Sequence, residues 1–303
     1  MLDIIILSDS SKKEVIKTIN SILYQFIDFD ISINILDCNK KIEYDDLIDD
    51  YKKIIKINNL EYSFDGNYGK AKQYALENVT GKYIMFINSG DVFTHPFGLD
   101  ILYKKIKMEK LDMVYCNYLL KTNNGYLYLK DDLYTINSKI YRINFLKTNN
   151  IMFNKSKLNN SYSFNKLLLI NDAKIDFIDQ AFSIVKNDNH PNYLYELDYI
   201  DNYIDDTVFI INNYAHKMNS IVLNKLSLKA LFYIYFYYLK NGKITINNSK
   251  IKVLIDTYLK NRLTKSKENK IKVSCVNENL LELLIDSTIT FHDFIEKMRR
   301  EYD

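Results

Sequence analysis

Cysteine, proline and glycine are scarce in this chain, and tryptophan is absent. Of 303 residues, three are cysteine, two are proline and seven are glycine. Cys38, Cys116 and Cys275 are odd in number and far apart, with no C-x-x-C pair, which argues against a disulfide framework or a zinc site and favours a reducing compartment. The few glycines and prolines, together with abundant Lys, Asn, Ile and Tyr, are typical of an AT-rich coding bias and predict nothing about structure.

Long apolar runs are missing as well. The longest, "ALFYIYFYYL" at 230–239, has about half of the ~20 residues that a membrane-spanning helix needs. The opening "MLDIIILSDS" places a charge inside an apolar run too short for a signal peptide. We therefore expect a soluble, cytoplasmic protein. The net charge of +3 neither requires nor excludes an anionic partner, and a composition of 47% hydrophobic and 26% charged residues argues against wholesale disorder.

Strand and helix patterns alternate through the first hundred residues. The apolar runs "DIIIL" (3–7) and "ISINIL" (31–36) are typical of strands buried on both faces. Between them, Ser11-x-x-Glu14 predicts a capping box at the start of a helix over 12–26. This order predicts an α/β domain with a mainly parallel sheet between helices. Further helices are expected near 44–56 and 69–79, and strands near 57–62 and 82–87.

The second half of the chain has looser patterns. "TNNGYLYL" (122–129) predicts a hairpin through Asn124–Gly125. "IDFIDQAFSIV" (175–185) has apolar residues at helical spacing, and a helix there would place Asp176 and Asp179 on one face. The pattern predicts a main domain at 1–205 and a C-terminal helical appendage at 206–303, with helices near 226–240, 251–263 and 277–301.

Polar clusters follow three of the predicted strands. They read Ser8–Asp9–Ser10, Asp37–Cys38–Asn39 and Asn88–Ser89–Gly90–Asp91. Ligands bind beyond the carboxyl ends of parallel strands, so three such clusters predict a site, although any one of them is ordinary for a strand end.

Three charged residues could carry chemistry at such a site. Asp91 could hold Mg²⁺ or Mn²⁺, which prefer oxygen ligands. Lys72 could reach a phosphate, or it could be a solvated lysine on a helix surface. Asp179 could act as a general base, or it could lie on the solvent-exposed face of a helix.

Together these segments resemble the family 2 glycosyltransferases, inverting enzymes of the GT-A fold. "IIILSDSSKKEVIKTINSILYQ" is similar to the family's first strand and helix, and "INILDCN" to its second strand. "NYGKAKQYALENVTGKYIMFINSGD" resembles the stretch that ends in the family's metal motif, here in an N-S-G-D version. "FIDQAF" falls where the family carries its catalytic acid, and the resemblance covers roughly residues 1–220.

The resemblance implies an inverting sugar transfer from a nucleoside-diphosphate sugar, by family default a UDP-sugar, to a hydroxyl of a glycan or lipid-linked acceptor. It implies Mn²⁺ or Mg²⁺ as cofactor and a place in the synthesis of capsule, teichoic acid or lipopolysaccharide. The implied roles at the nucleotide are nucleoside contacts for Ser8 and Ser10, base or ribose contact for Asp37, and diphosphate contact for Lys72. Asn88 and Asp91 match the ends of the metal motif, with Asn88 as a nucleotide-binding residue and Asp91 as the metal ligand. Asp179 matches the base, and His216 a further phosphate or metal contact.

Two departures from the family pattern keep alternatives open. Cys38 stands at the second acid after strand two, and Gly90 stands where a metal-binding aspartate is common. One alternative is an enzyme that glycosylates phage DNA or protein, for which Lys12, Lys13 and the stretch 259–272 supply positive charge. The other is a GT-A-like binding or scaffold protein without catalysis, which donor hydrolysis would distinguish.

The aromatic helix at 231–240 has its own alternatives. Aromatic residues nearly all round a helix predict burial against neighbouring helices. The same surface could instead form a homo-oligomer interface, or rest on the inner face of a membrane that carries lipid-linked acceptors.

Overall fold

The computed structural model describes residues 1–38, 42–130, 133, 135–155, 157, 161–186, 197–241 and 248–261. The chain divides into two compact units, Met1–Pro191 and Asn192–Asp303. The boundary predicted after residue 205 falls inside a helix of the second unit, Leu197–Tyr214. The compact units divide at Pro191, and the predicted boundary stays a prediction.

Strands and helices alternate through the first half of unit one, as predicted. In order they are β1 (Leu2–Ser8), α1 (Lys12–Leu23), β2 (Ile31–Asp37), α2 (Asp45–Tyr51), β3 (Lys56–Leu60), α3 (Tyr68–Asn78) and β4 (Tyr83–Asn88). β2 and β4 lie parallel to β1 on either side, and β3 lies parallel to β2. Every residue of β1 is buried, as its continuous apolar sequence predicts for a central strand.

The second half of unit one extends this sheet with mostly antiparallel pairs. Its elements are β5 (Val92–Phe93), α4 (Gly98–Met108), β6 (Met113–Thr122), β7 (Gly125–Leu129), β8 (Lys139–Arg142), α5 (Ile143–Thr148), α6 (Tyr162–Ile170) and β9 (Ile175–Val185). The strand order is β3-β2-β1-β4-β8-β6-β9-β5, with β7 paired to β6. The predicted hairpin is confirmed, because Thr122 pairs with Gly125 across it.

The helix predicted over 175–185 is wrong, because this segment is strand β9. It runs parallel to β6, but the register shifts: Cys116 pairs with Ile178, whereas Asn117 pairs with Ala181. The extra residues of this bulge change the spacing of the apolar side chains, so that a bulged strand resembles a helix in sequence.

The core of unit one lies between the parallel strands and helices α1 and α4. It includes Ile4, Ile6, Ile19, Ile22 and Leu99, all 0% exposed. Each such side chain contributes about 1.5–3 kcal/mol by its burial. This packing fixes the helices against the sheet and leaves the carboxyl ends of β1, β2 and β4 as a rigid edge.

The capping box predicted at the start of α1 is not formed. Ser11 is the N-cap residue, but its side chain makes no cap hydrogen bond with any described group. The Glu14 carboxylate instead lies beside Gly90, where it would contact a β-carbon at that position.

Unit two is helical throughout the part that the structure describes. It contains α7 (Leu197–Tyr214), a 3-10 turn (Ala215–Lys217), α8 (Ser220–Asn241) and α9 (Asn248–Asn261). The burial predicted for the aromatic helix is confirmed for Leu231, Phe232 and Ile234 of α8. The helix predicted near 277–301 lies outside the described residues.

None of the described helices combines the length and the apolar composition that crossing a bilayer requires.

Candidate functional site

The carboxyl ends of β1, β2 and β4 bring the predicted polar clusters to one edge of the sheet. Ser8 pairs with Asp37 in the β1–β2 register, and Leu7 pairs with Asn88 in the β1–β4 register. Beyond the strands, the Cys38 N–H donates to the Ser8 carbonyl at 2.8 Å, and the Ser89 N–H donates to the Leu7 carbonyl at 2.9 Å. The three clusters are therefore joined by backbone hydrogen bonds.

Asp9 lies at the centre of the exposed side of this edge. The Ser89 hydroxyl donates to its Oδ1 at 3.2 Å, and the Tyr68 hydroxyl donates to its Oδ2 at 3.5 Å. The hydroxyls of Ser10 and Ser89 are 2.6 Å apart. No functional role had been predicted for Asp9 or Tyr68, because nothing in the sequence links side chains that lie 59 residues apart.

Ser8 is more buried than its predicted nucleoside contact requires, and Cys38 at the same edge is buried as well. The Ser8 side chain is 0% exposed and its hydroxyl is hydrogen-bonded to the Tyr44 hydroxyl, so it lies beneath the edge. Burial, with a smaller contribution from the charges of Asp9 and Asp37, raises the pKa of the Cys38 thiol to about 12. The position after Asp37 thus holds a neutral thiol, and Ser10, which is half-buried, is more accessible than Ser8.

Lys72 is a buried cation beside the same edge. Its side chain on α3 is 0% exposed, so the alternative of a solvated helix lysine is wrong. The ammonium donates to the Ser161 hydroxyl at 2.9 Å and lies 5.5 Å from the centre of the Phe153 ring. Lys72 lies in the first turns of α3, whose first residue, Tyr68, donates to Asp9 at this edge. Its charge lowers the pKa of the Cys38 thiol, against the larger effects that raise it.

Asp91 is buried in the turn after β4, where its carboxylate accepts several hydrogen bonds. Its carboxylate is 2% exposed. Oδ1 accepts from the Lys186 N–H at 2.8 Å, and Oδ2 accepts from the Asn88 backbone N–H at 3.3 Å and side-chain amide at 3.2 Å. Burial raises the pKa of Asp91 to about 7, while these N–H donors favour the ionised form and limit the rise. Asp91 thus ties the end of β4 to the residue that follows β9.

The carboxylate of Asp91 does not fit the role of a metal ligand. A divalent cation requires a carboxylate oxygen that faces an open coordination position, whereas Asp91 is only 2% exposed and both of its oxygens already accept hydrogen bonds from N–H donors. The preceding residue, Gly90, offers no side chain. Within the described part of the chain, no group of three or more His, Cys, Asp or Glu side chains is placed to hold a metal ion.

Gly90 forms a hinge whose side-chain space is already filled. Its φ of +95° lies in the region that favours glycine. A β-carbon there would lie 2.5 Å from Oε2 of Glu14 and 2.9 Å from Cδ of Lys186. The ammonium of Lys186 is 3.4 Å from the same Glu14 oxygen. An ion pair therefore occupies the place where other residues would project a side chain, and the sequence carried no signal for it.

Asp179 lies on the bulge of β9 and is exposed. The Asn117 amide donates to its Oδ1 at 2.8 Å, and the Tyr128 hydroxyl donates to the same oxygen at 3.5 Å. The shared face predicted for Asp176 and Asp179 is wrong, because the segment is a strand. Asp176 pairs instead with Lys105 at 2.6 Å, and this hydrogen bond lowers its pKa.

The predicted residues fall into three groups. Ser10, Asp37, Asn88 and Lys72 lie at or beside the carboxyl edge of the parallel strands. Asp179 lies on β9, in the half of the same sheet that follows β4 in sequence. His216 lies in the 3-10 turn of the second unit, so its predicted phosphate or metal contact stays a prediction.

The sequence of this chain matches the family model described as "Glycosyl transferase family 2" over residues 3–168. The chain belongs to glycosyl transferase family 2. The matched range contains the whole edge built from β1, β2 and β4. Asp179 and Lys186 lie beyond it, so their roles are argued from the structure.

Solved structures with the same fold confirm the predicted GT-A architecture. The 1–349 fragment of S. aureus TarS in complex with UDP-GlcNAc is 17% identical, with a TM-score of 0.64, over 99% of this chain and 91% of that one. The mannosyltransferase PcManGT from Pyrobaculum calidifontis, in complex with GDP-Man and Mn²⁺, is 9% identical, with a TM-score of 0.54, over 93% and 78%. Among curated proteins, no significant match to the sequence was found.

Proposed function

We propose that this family 2 protein transfers a sugar from a nucleoside-diphosphate sugar to an acceptor hydroxyl, with inversion at the anomeric carbon. The observation that carries this proposal is the placement of Asp179. A β-bulge turns this carboxylate out of the strand ladder, and the Asn117 amide holds one of its oxygens at 2.8 Å. Bulges often direct a side chain towards an active site, and an oriented, exposed carboxylate is suited to act as a base.

In the proposed mechanism, Asp179 accepts the proton of the acceptor hydroxyl. The acceptor oxygen forms its bond to the anomeric carbon as the bond from that carbon to the diphosphate breaks on the opposite face. The electron pair of the broken bond leaves with the nucleoside diphosphate. Asn117 and the Tyr128 hydroxyl act as positioning groups, because both donate to Oδ1 and leave Oδ2 available to the acceptor.

The donor is proposed to bind at the carboxyl edge of the parallel strands. Ser10, Asp37 and Asn88 would contact the nucleoside, and Lys72 would add positive charge beside this edge. The structures similar to this chain were solved with UDP-GlcNAc, UDP and GDP-Man, which supports a nucleoside-diphosphate sugar as the ligand class. A UDP-sugar remains the proposal for the base.

A divalent cation, as in the PcManGT complex, would supply positive charge to the diphosphate when bound. Because Asp91 does not fit as its ligand, no step of the proposed mechanism depends on Mn²⁺ or Mg²⁺ held by this residue.

The biological setting is proposed from family membership. We place the reaction in the synthesis of a surface glycan such as a capsule, teichoic acid or lipopolysaccharide, on the cytoplasmic side of the membrane, with a glycan or lipid-linked acceptor. Peripheral membrane contact and homo-oligomer formation through α8 remain proposals of the same kind.

A GT-A-like binding protein without catalysis is the second candidate. The observation that favours it is the N-S-G-D turn, in which Gly90 lacks a side chain and Asp91 is fully hydrogen-bonded. Titrating the protein with UDP-GlcNAc, and then assaying its hydrolysis, separates the two candidates. Binding with turnover supports the transferase, binding with no turnover on any acceptor supports the binding protein, and no binding of UDP- or GDP-sugars contradicts both.

A further inference from the structure

We propose that the ammonium of Lys186, and not a divalent cation held by the protein, supplies the positive charge that faces the donor diphosphate. This inference rests on the proposed function. It concerns the turn Asn88–Ser89–Gly90–Asp91 and the residue that follows β9, and it assigns a role to Lys186 and Glu14.

The turn after β4 leaves no place for a metal-binding side chain. At Gly90, a β-carbon would lie 2.5 Å from the Glu14 carboxylate and 2.9 Å from Cδ of Lys186. At Asp91, both carboxylate oxygens accept hydrogen bonds from N–H groups. Lys186 and Glu14 therefore occupy the space that the side chain of a metal-binding aspartate at position 90 would need.

Lys186 is held at this place at both ends of its side chain. Its backbone N–H donates to Oδ1 of Asp91 at 2.8 Å, which fixes the start of the side chain. Its ammonium is 3.4 Å from Oε2 of Glu14, while 37% of the side chain stays exposed. The side chain is therefore held by the protein at both ends and is still partly open to solvent, where a ligand can meet it.

Lys186 is the nearer of two cations to Glu14 and the one that lies beside the turn. Glu14 is shared by two lysines, with Lys17 at 3.9 Å and Lys186 at 3.4 Å from the same oxygen. That oxygen accepts no hydrogen bond from any described group, so it can draw the Lys186 ammonium towards the turn. The side chain of Lys186 also reaches the space beside Gly90, whereas Lys17 lies one helical turn after Glu14 on α1.

A positioned ammonium can do for the leaving group what a metal does. The departing nucleoside diphosphate gains negative charge, and a preorganised cation stabilises that charge in the transition state. Lysine binds phosphate as a compact point charge with three donors. The expected consequence is that donor binding does not require an added divalent cation.

The test is calorimetric binding of UDP and of uridine to the full chain, in EDTA and in MnCl₂. We expect UDP to bind with the same affinity in both. Lys186→Met should weaken UDP binding more than tenfold and leave uridine binding unchanged, because only UDP carries the diphosphate. Lys186→Arg should recover most of the affinity. Lys17→Met is the matched control, since it removes a charge from the same Glu14, and it should bind UDP as the wild type does.

The outcomes distinguish this inference from the function on which it rests. UDP binding that requires Mn²⁺, or Lys186→Met binding that equals the wild type, overturns the role of Lys186 and leaves the transferase proposal intact. A loss of uridine binding in Lys186→Met also overturns it, because the residue would then be structural. If neither UDP nor GDP binds under any condition, the proposed function fails and the role of Lys186 fails with it.

Discussion

Asp91 and Asp179 have the same side chain, but their different environments suit them to different roles. Asp91 is 2% exposed, and N–H donors face both of its oxygens. Asp179 is exposed on a bulge, and both of its described donors contact the same oxygen, Oδ1. The first is suited to hold a turn together, and the second is suited to exchange a proton with a ligand.

Asp179→Asn is expected to abolish transfer while donor binding is retained. The amide keeps the size of the side chain but cannot accept the acceptor proton, so turnover should fall by about 10²- to 10⁴-fold. Steady-state transfer and UDP binding measured on the same preparation check this. Asp176→Asn is the matched control on the same strand, since Asp176 pairs with Lys105. An Asp176→Asn enzyme as impaired as Asp179→Asn would contradict the assignment.

Asp91 is expected to make stability depend on pH. Burial raises its pKa from 3.8 to about 7, so between these values the folded chain binds a proton that the unfolded chain does not. The stability that the protonated Asp91 contributes to the folded state is therefore fully present below about pH 4. It is lost as pH rises towards 7, at up to about 1.4 kcal/mol per pH unit.

Urea unfolding at pH 5, 6, 7 and 8 checks this dependence with Asp91→Asn, which cannot titrate. The free energy of unfolding of the wild type should fall as pH rises from 5 to 7, relative to that of the variant. Parallel pH profiles for the two proteins would contradict the raised pKa of Asp91.

At the residue scale, the sequence predicted which strand ends are polar, but not how each side chain is used. The burial of Ser8 depends on Tyr44, 36 positions away, and the filling of the Gly90 site depends on Lys186. Such pairings form only when the chain folds, so a single sequence carries no local signal for them.

At the element scale, the alternation of β1 to β4 with their helices was predictable because buried parallel strands consist of continuous apolar runs. The same reasoning failed for β9, where the bulge between Ile178 and Ala181 disturbs the strand period. The feature that hid the strand from sequence analysis is also the feature that exposes Asp179.

Substitution of Gly90, the hinge after β4, is expected to affect both stability and UDP binding, whereas substitution of Gly125 should affect stability alone. Gly90→Ala and Gly125→Ala both force alanine to a positive φ, which costs about 1–3 kcal/mol at each site. At Gly90 the crowding atoms belong to the long side chains of Glu14 and Lys186, which can swing aside, whereas at Gly125 nothing lies within 4 Å. Both variants should therefore lose similar stability.

Only Gly90→Ala should also weaken UDP binding, because the methyl group displaces the ammonium of Lys186. Urea unfolding and UDP calorimetry on both variants check this. Equal UDP affinities for Gly90→Ala and Gly125→Ala would show that the space beside Gly90 has no part in nucleotide binding.

At the scale of the whole molecule, family and fold agree although the similar structures share only 9–18% identity with this chain. A ligand that binds only the folded state stabilises it by mass action, by about 2.7 kcal/mol at a hundredfold excess over the dissociation constant. UDP at that excess should therefore raise the unfolding temperature of the full chain in differential scanning calorimetry. An unchanged unfolding temperature in UDP and in GDP would contradict nucleotide binding.

The most direct measurement is nucleoside-diphosphate release from a panel of UDP-, GDP-, CDP- and dTDP-sugars, with and without candidate acceptor glycans. Wild-type protein, Asp179→Asn and Asp176→Asn would be assayed together, in EDTA and in MnCl₂. We predict release from one donor class, in EDTA as in MnCl₂, that depends on Asp179 and not on Asp176. Binding of a donor without release on any acceptor, or release that Asp179→Asn leaves unchanged, would contradict sugar transfer by this site.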